Sequence, residues 1–188
     1  MNNKLAIVID LNSQMEKAAR DAWDLLGKKY SIRYISSRSP SPHIAIDSGF
    51  TGKYDLIKVI LKNFVKNMSP FTIQGNGLGI FIARTPVIYV RWNLNKEFML
   101  LKQSMTKTLK SAFDKNIIEG TTKIPEYNWL AKTSLAFNDT SYRILPEILH
   151  DLKPIDFKKD MMVFGISLYK YSIEDGENKI GYFEFGLS

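Results

Sequence analysis

The sequence contains no cysteine, which excludes disulfides, thiolate nucleophiles and cysteine metal ligands. That composition suits a reducing compartment, and the expected location is the cytoplasm. Histidine is nearly as scarce, with two in 188 residues, His43 and His150. Neither gathers Asp or Glu at ligand spacing, so no metal and no cofactor is expected. Long apolar runs are missing too. The first, Leu5 to Ile9, ends at Asp10 and is too short for a membrane span or a signal h-region, so it reads as an opening strand. A phosphate-cradling glycine loop is also lacking. Gly75-Asn76-Gly77-Leu78-Gly79 lies between two strand patterns rather than opening a helix, and turn geometry explains it.

What is present is enough for a core. The chain is 45% hydrophobic and 24% charged, which fits one globular domain or two closely packed lobes. Its net charge of +7 is spread along the chain rather than collected in a tail. A diffuse cationic surplus favours anionic partners such as RNA, nucleotides or phosphate esters, although a solvated basic surface is the commoner origin of such a number.

Periodicity sets the expected elements. A strand over 4–10 precedes an amphipathic helix over 13–29, with Met15, Ala18, Ala19, Ala22, Leu25 and Leu26 on one face. The segment Ser36 to Pro42 is a loop by composition. A second helix over 54–67 leads to two strands, 71–74 and 78–83, separated by Gly75-Asn76-Gly77, then to a strand over 86–92 and a helix over 95–113. Residues 114–126 lack periodicity and read as a loop. A short helix over 141–152, interrupted early by Pro146, precedes a strand pair, 160–174 and 178–187, joined across Glu174-Asp175-Gly176-Glu177.

Two segments stand out. Pro42-His43-Ile44-Ala45-Ile46 alternates, so that His43 and Ala45 share one face while Ile44 and Ile46 share the other. Trp129 to Phe137 repeats the device, with Lys132 and Ser134 opposing Thr133, Leu135 and Phe137. Each half then runs helix, motif strand, helix and strands that begin near a phenylalanine (Phe71 and Phe157). This order predicts an α+β fold, a pseudo-duplicated bilobal domain over 1–188. Two antiparallel sheets would line a central groove with helices outside, each lobe contributing one motif strand, around 43–46 and 132–135.

Those segments, with the opening strand and helix, Pro70 to Phe81, the strand and helix beyond Pro86 and the closing hairpin, resemble the two-histidine phosphoesterase superfamily. It includes the 2',5' RNA ligase and cyclic nucleotide phosphodiesterase families. In it each lobe carries a His-x-Thr/Ser motif on a strand, and the two motifs face one another across the groove. His43 matches the first histidine and Ser134 the second hydroxyl position. Ala45 stands where a threonine or serine is expected, and Lys132 where the second histidine is expected.

The resemblance implies metal-independent chemistry on phosphodiesters, in which one histidine is a general base, the other protonates the leaving oxygen, and the hydroxyls hold phosphate oxygens. Histidine suits both proton roles because its ordinary pKa of roughly 6.5 leaves both forms populated near neutrality. The expected catalytic set is His43 as acid or base, Lys132 as cationic clamp or acid, and Ser134 as phosphate ligand. The expected activity is that of a cyclic phosphodiesterase or 2',5' RNA ligase-like hydrolase, with RNA or a nucleotide phosphodiester as partner, no membrane, and a monomer by default. Two other readings stand beside it. One is a non-catalytic RNA- or phosphate-binding module that has lost turnover; the other is a partner-binding protein with an idle groove.

Less specific anion-binding candidates are Arg33, Arg38 and Lys53 near the first motif, Arg84 and Arg91 in the central strands, and Lys123 and Arg143 near the second. Tyr127 and Trp129 offer stacking surfaces for a base, with core packing of Trp129 the competing role. His150, late in a helix where a cation suits the dipole, is assigned no catalytic part.

Overall fold

The computed structural model describes residues 3–113, 129–172 and 176–186. The segment read as a loop over 114–126, with Lys123 and Tyr127, and part of the turn at 174–177 lie outside the described residues.

Strand β1 (Asn3–Asp10) leads to α1 (Ser13–Tyr30), β2 (His43–Thr51) and α2 (Tyr54–Phe64), which ends in a short 3-10 turn. Next come β3 (Phe71–Phe81), β4 (Val87–Trp92), α3 (Lys96–Leu109), β5 (Lys132–Ala136), α4 (Leu145–Leu152), β6 (Asp160–Val163), β7 (Gly165–Ser172) and β8 (Gly176–Glu184). The strands form two four-stranded antiparallel sheets, ordered β2-β1-β7-β8 and β5-β4-β3-β6. The α+β class and the pseudo-duplication follow from that order. Each motif strand is the edge of its sheet, each sits beside the first strand of its half, and each follows that half's first helix.

The duplication is intertwined. After α2 the chain enters β3 in the second sheet, and after α4 it passes through β6 into β7 and β8 of the first, so the first half supplies one strand to the other's sheet and the second half supplies two. The helices cross over as well, with α1 packing on β5, α3 on β2, and β2 meeting β5 directly. The two sheets line the central groove and share one core, in which Leu5, Ile7, Ile9, Ile44 and Ile46 join Ile88, Val90, Trp92, Phe98 and Leu101. Fully burying each such side chain contributes roughly 1.5–3 kcal/mol, so neither half has a core of its own to fall back on.

The first helices of the two halves start alike. Asn12 caps α1 by accepting the Met15 N–H at 3.0 Å, and Asn95 caps α3 by accepting the Phe98 N–H at 2.9 Å. Each cap is worth about 1 kcal/mol. Both follow a leucine, Leu11 and Leu94, so the repeat extends to the residue before the cap.

Four boundaries differ from expectation. Residues 71–81 form one strand, not two, because Gly75-Asn76-Gly77 is a register shift rather than a turn. Gly77 takes φ +72°, and a Cβ on Gly75 would lie 2.1 Å from the Phe157 carbonyl oxygen, so glycine admits the neighbouring chain. The expected strand over 160–174 is instead two strands in different sheets, β6 paired with β3 and β7 with β1, with Phe164 at the crossing. Helix α3 ends at Leu109, before a turn that reaches Phe113. Pro146 lies in the first turn of α4, where its missing N–H costs nothing, so it begins the helix instead of interrupting it.

Candidate functional site

Strand β2 starts where Ser39-Pro40-Ser41-Pro42 ends, and its first residue, His43, pairs with Asp10 at the end of β1. Alternation holds: Ile44 and Ile46 are buried in the core, His43 is half-buried and Ala45 is exposed. On β5, Thr133 and Leu135 are buried while Lys132 and Ser134 are half-buried. Thr133 anchors the strand by accepting the Trp92 indole N–H at 3.1 Å, and the Ser134 carbonyl accepts from the Trp23 indole at 3.4 Å. Phe137 lies beyond the strand end and is exposed.

His43 is held on one nitrogen. Its Nδ1 lies 3.1 Å from the Ser41 carbonyl oxygen, 3.5 Å from the Ser39 hydroxyl and 3.9 Å from a Glu177 carboxylate oxygen. A carbonyl can only accept, so Nδ1 carries the proton in the neutral ring, and Nε2 keeps the lone pair. Nε2 has no protein partner among the described residues. The imidazole also packs on the Tyr169 ring, with centroids 5.3 Å apart. This arrangement can take a proton at Nε2, or donate one there when the ring is charged.

On β5 the Lys132 ammonium donates to the Ser134 hydroxyl at 3.0 Å. Burial pushes the Lys132 pKa below the usual lysine range, because little water is left to solvate the charge. No carboxylate among the described residues pairs with it, and its register partner on β4 is another cation, Arg91. A half-buried cation beside a hydroxyl that still has its own proton to give can hold an anion's oxygens, and its lowered pKa makes it a readier proton donor than an exposed lysine.

The remaining candidates scatter. Arg33 donates to the Gly27 carbonyl, and Arg38 lies over the Tyr34 ring at 4.8 Å. Lys53 precedes α2, and Arg143 is exposed. Arg84 is not in a central strand; it sits in the exposed connection between β3 and β4. Trp129 packs edge-on against Phe98 at 5.4 Å under the Lys102 ammonium, so its ring is engaged with α3. His150 is in the last turn of α4. No three His, Cys, Asp or Glu among the described residues converge as metal ligands.

Comparison with solved structures identifies the architecture. The crystal structure of TT0787 from Thermus thermophilus superposes with a TM-score of 0.68 at 15% identity, over 97% of each chain. Escherichia coli LigT complexed with 3'-AMP gives 0.63 at 13% identity over the whole of both chains. The fold is that of the LigT-like phosphoesterases. A further crystal structure, described as a phosphoesterase, also gives 0.63 at 13% identity over the whole of both chains. No protein-family model and no curated protein matches the sequence.

Within this LigT-like frame, sequence reasoning missed a polar group beside His43. Asp10 accepts from Ser167 at 2.5 Å, Lys179 at 2.6 Å and Tyr169 at 2.9 Å, and the Ser41 hydroxyl meets the Tyr169 hydroxyl at 2.8 Å. Burial works to raise the Asp10 pKa, but the bonds from Lys179, Ser167 and Tyr169 outweigh it and hold the carboxyl below its ordinary range. A signal existed. Ser167, Tyr169 and Tyr171 alternate with Ile166, Leu168 and Lys170, and Asp10 closes an apolar strand directly opposite the histidine.

Proposed function

We propose that this chain is a metal-independent, phosphodiesterase-like protein, one bilobal domain that works as a cytoplasmic monomer. Its ligands are 2',3'-cyclic or 2',5'-linked phosphodiesters of RNA or nucleotides. The observation that carries the reading is that β2, which begins at the tethered His43, packs against β5, which bears the Lys132–Ser134 couple. Support comes from a fold shared with LigT, whose crystal structures include complexes with 3'-AMP, NADP+, ATP and phosphate.

In hydrolysis of a cyclic phosphodiester, Nε2 of His43 takes a proton from water as the water oxygen bonds to phosphorus. Lys132 stabilises the charge gathering on the phosphoryl oxygens and gives its proton to the departing ribose oxygen as the P–O bond breaks. Ser134 holds a non-bridging oxygen. Preorganised charge of this kind is worth about 10²–10³ in rate per donor, and general acid–base assistance about 10²–10⁴. An ammonium holds its proton more tightly than an imidazolium does, so Lys132 is a weaker acid than the second histidine would be, and the enzyme is expected to be slow.

The test is metal-free hydrolysis of RNA oligonucleotides that end in a 2',3'-cyclic phosphate, with wild type, His43→Ala and Lys132→His compared. Turnover that disappears in His43→Ala supports the assignment; unchanged turnover in that variant removes it. If wild type is inert and Lys132→His turns over, the second reading holds: the groove is an RNA- or phosphate-binding module whose catalysis stopped at one position. The Lys132 ammonium, paired with no carboxylate among the described residues, favours that reading over an idle groove.

A further inference from the structure

Ser41, just before β2, makes two directed contacts that together orient the imidazole of His43. The Asp10 carboxylate can only accept, so the Tyr169 hydroxyl spends its single proton on Asp10 Oδ1 at 2.9 Å. The Ser41 hydroxyl, 2.8 Å from the Tyr169 oxygen, must therefore be the donor in that contact. The direction of the chain is thus fixed from Asp10 outward.

At the other end of Ser41, its carbonyl faces His43 Nδ1 at 3.1 Å and the Ser39 hydroxyl at 3.0 Å. Ser39 has one proton and a stronger acceptor, the Glu177 carboxylate at 2.7 Å. That leaves the Ser41 carbonyl to the Nδ1–H.

We infer that Asp10, Tyr169 and Ser41 are positioning residues for His43, a hydrogen-bonded chain that fixes the ring in its Nδ1–H tautomer and presents Nε2 to the ligand. The charged and titratable groups around the ring are Asp10 on β1, Tyr169 on β7, and Glu177 and Lys179 on β8. Burial, with the Asp10 and Glu177 charges, pushes the Tyr169 phenol far above its ordinary range, so its proton is present at every working pH. Ser167 and Lys179 donate to Asp10 from β7 and β8, and these bonds favour the charged carboxylate.

This inference deepens the role given above to His43, and its test is separable from that role. With two histidines in the chain, ring nitrogen-15 shifts are assigned by one substitution, His43→Ala, and report the tautomer whether or not the protein turns over. Wild type should show the Nδ1–H form at a pH where the ring is neutral. In Tyr169→Phe, which removes one oxygen and keeps the ring, and in Ser41→Ala, the Nε2–H form should become populated. Turnover of a cyclic phosphate should then fall about 10- to 100-fold in kcat with KM within about twofold, by analogy with groups that orient a ligand histidine.

A wild-type ring in the Nε2–H form overturns the inference, as do Tyr169→Phe and Ser41→Ala proteins that fold and keep the wild-type tautomer. A wild type with the expected tautomer but no turnover leaves the positioning chain standing and removes the catalytic reading instead.

Discussion

The two motif strands occupy equivalent places in an intertwined duplication, yet they are furnished very differently. His43 on β2 is surrounded by polar groups from β1, β7, β8 and the preceding loop. Lys132 on β5 has Ser134 and little else among the described residues. Imidazole has two nitrogens with distinct tasks, so a working acid or base needs a partner to hold one of them. An ammonium has three equivalent donors and no tautomer to set, so it needs no partner to orient it. On the proposed reading, the first half is equipped to move a proton, while the second supplies a charge.

The largest effect should come from breaking the furnished side. His43→Ala is expected to lower hydrolysis of a cyclic phosphate by about 10²–10⁴, measured as kcat/KM. On the other strand, Lys132→Met keeps length and removes charge. Phosphate or nucleotide affinity, read by calorimetry, should fall about 10- to 100-fold, consistent with loss of a charge-assisted bond of roughly 1.5–3 kcal/mol. The pH dependence has a definite sign. Lys132 has a folded pKa below the reference 10.5, so anion binding should weaken as pH rises through that lowered value, before an exposed lysine would lose its proton. An affinity flat to the reference value would mean that Lys132 carries none of the binding.

A third measurement separates stability from function. The folded pKa of Asp10 lies below the ordinary aspartate value of 3.8, so its contribution is complete above about that pH and is lost as acid carries the carboxyl through its lower folded value. Asp10→Asn should remove the contribution at neutral pH, at a cost of about 1.5–3 kcal/mol in urea unfolding, and flatten the acid side of the stability curve. A variant that unfolds at the wild-type midpoint would show that Ser167, Tyr169 and Lys179 find other partners.

How much of this was legible in the sequence depended on range. Alternation around Ile44–Ile46 and Thr133–Leu135 gave both motif strands, because strand periodicity is a local property. The β6–β7 crossing was hidden, since Met161 to Leu168 reads as one apolar run whichever sheet each residue joins. Long-range pairings such as Phe71–Val163 in one sheet and Ile7–Leu168 in the other separate it into two. His43, Lys132 and Ser134 were visible as chemistry. Asp10 and Tyr169 were not, because their meaning lies in a contact 159 residues apart.

The smallest expected effect sharpens the comparison most directly. Ala45 occupies on β2 the place that Ser134 occupies on β5, two residues beyond the charged or ionisable group, and it is exposed. Ala45→Thr adds a hydroxyl and a β-branch at a strand position that tolerates both, so stability should hold to within about 0.5 kcal/mol. If the two halves address one phosphate, the new hydroxyl can donate to it, and a net hydrogen bond of about 0.5–1.5 kcal/mol raises phosphate affinity roughly 2- to 10-fold. The same change in a His43→Ala background should give the same gain, because the hydroxyl acts on the ligand and not through the ring. An unchanged affinity in both backgrounds would mean that the anion sits against β5 alone. The asymmetry would then extend from the side chains to the site itself.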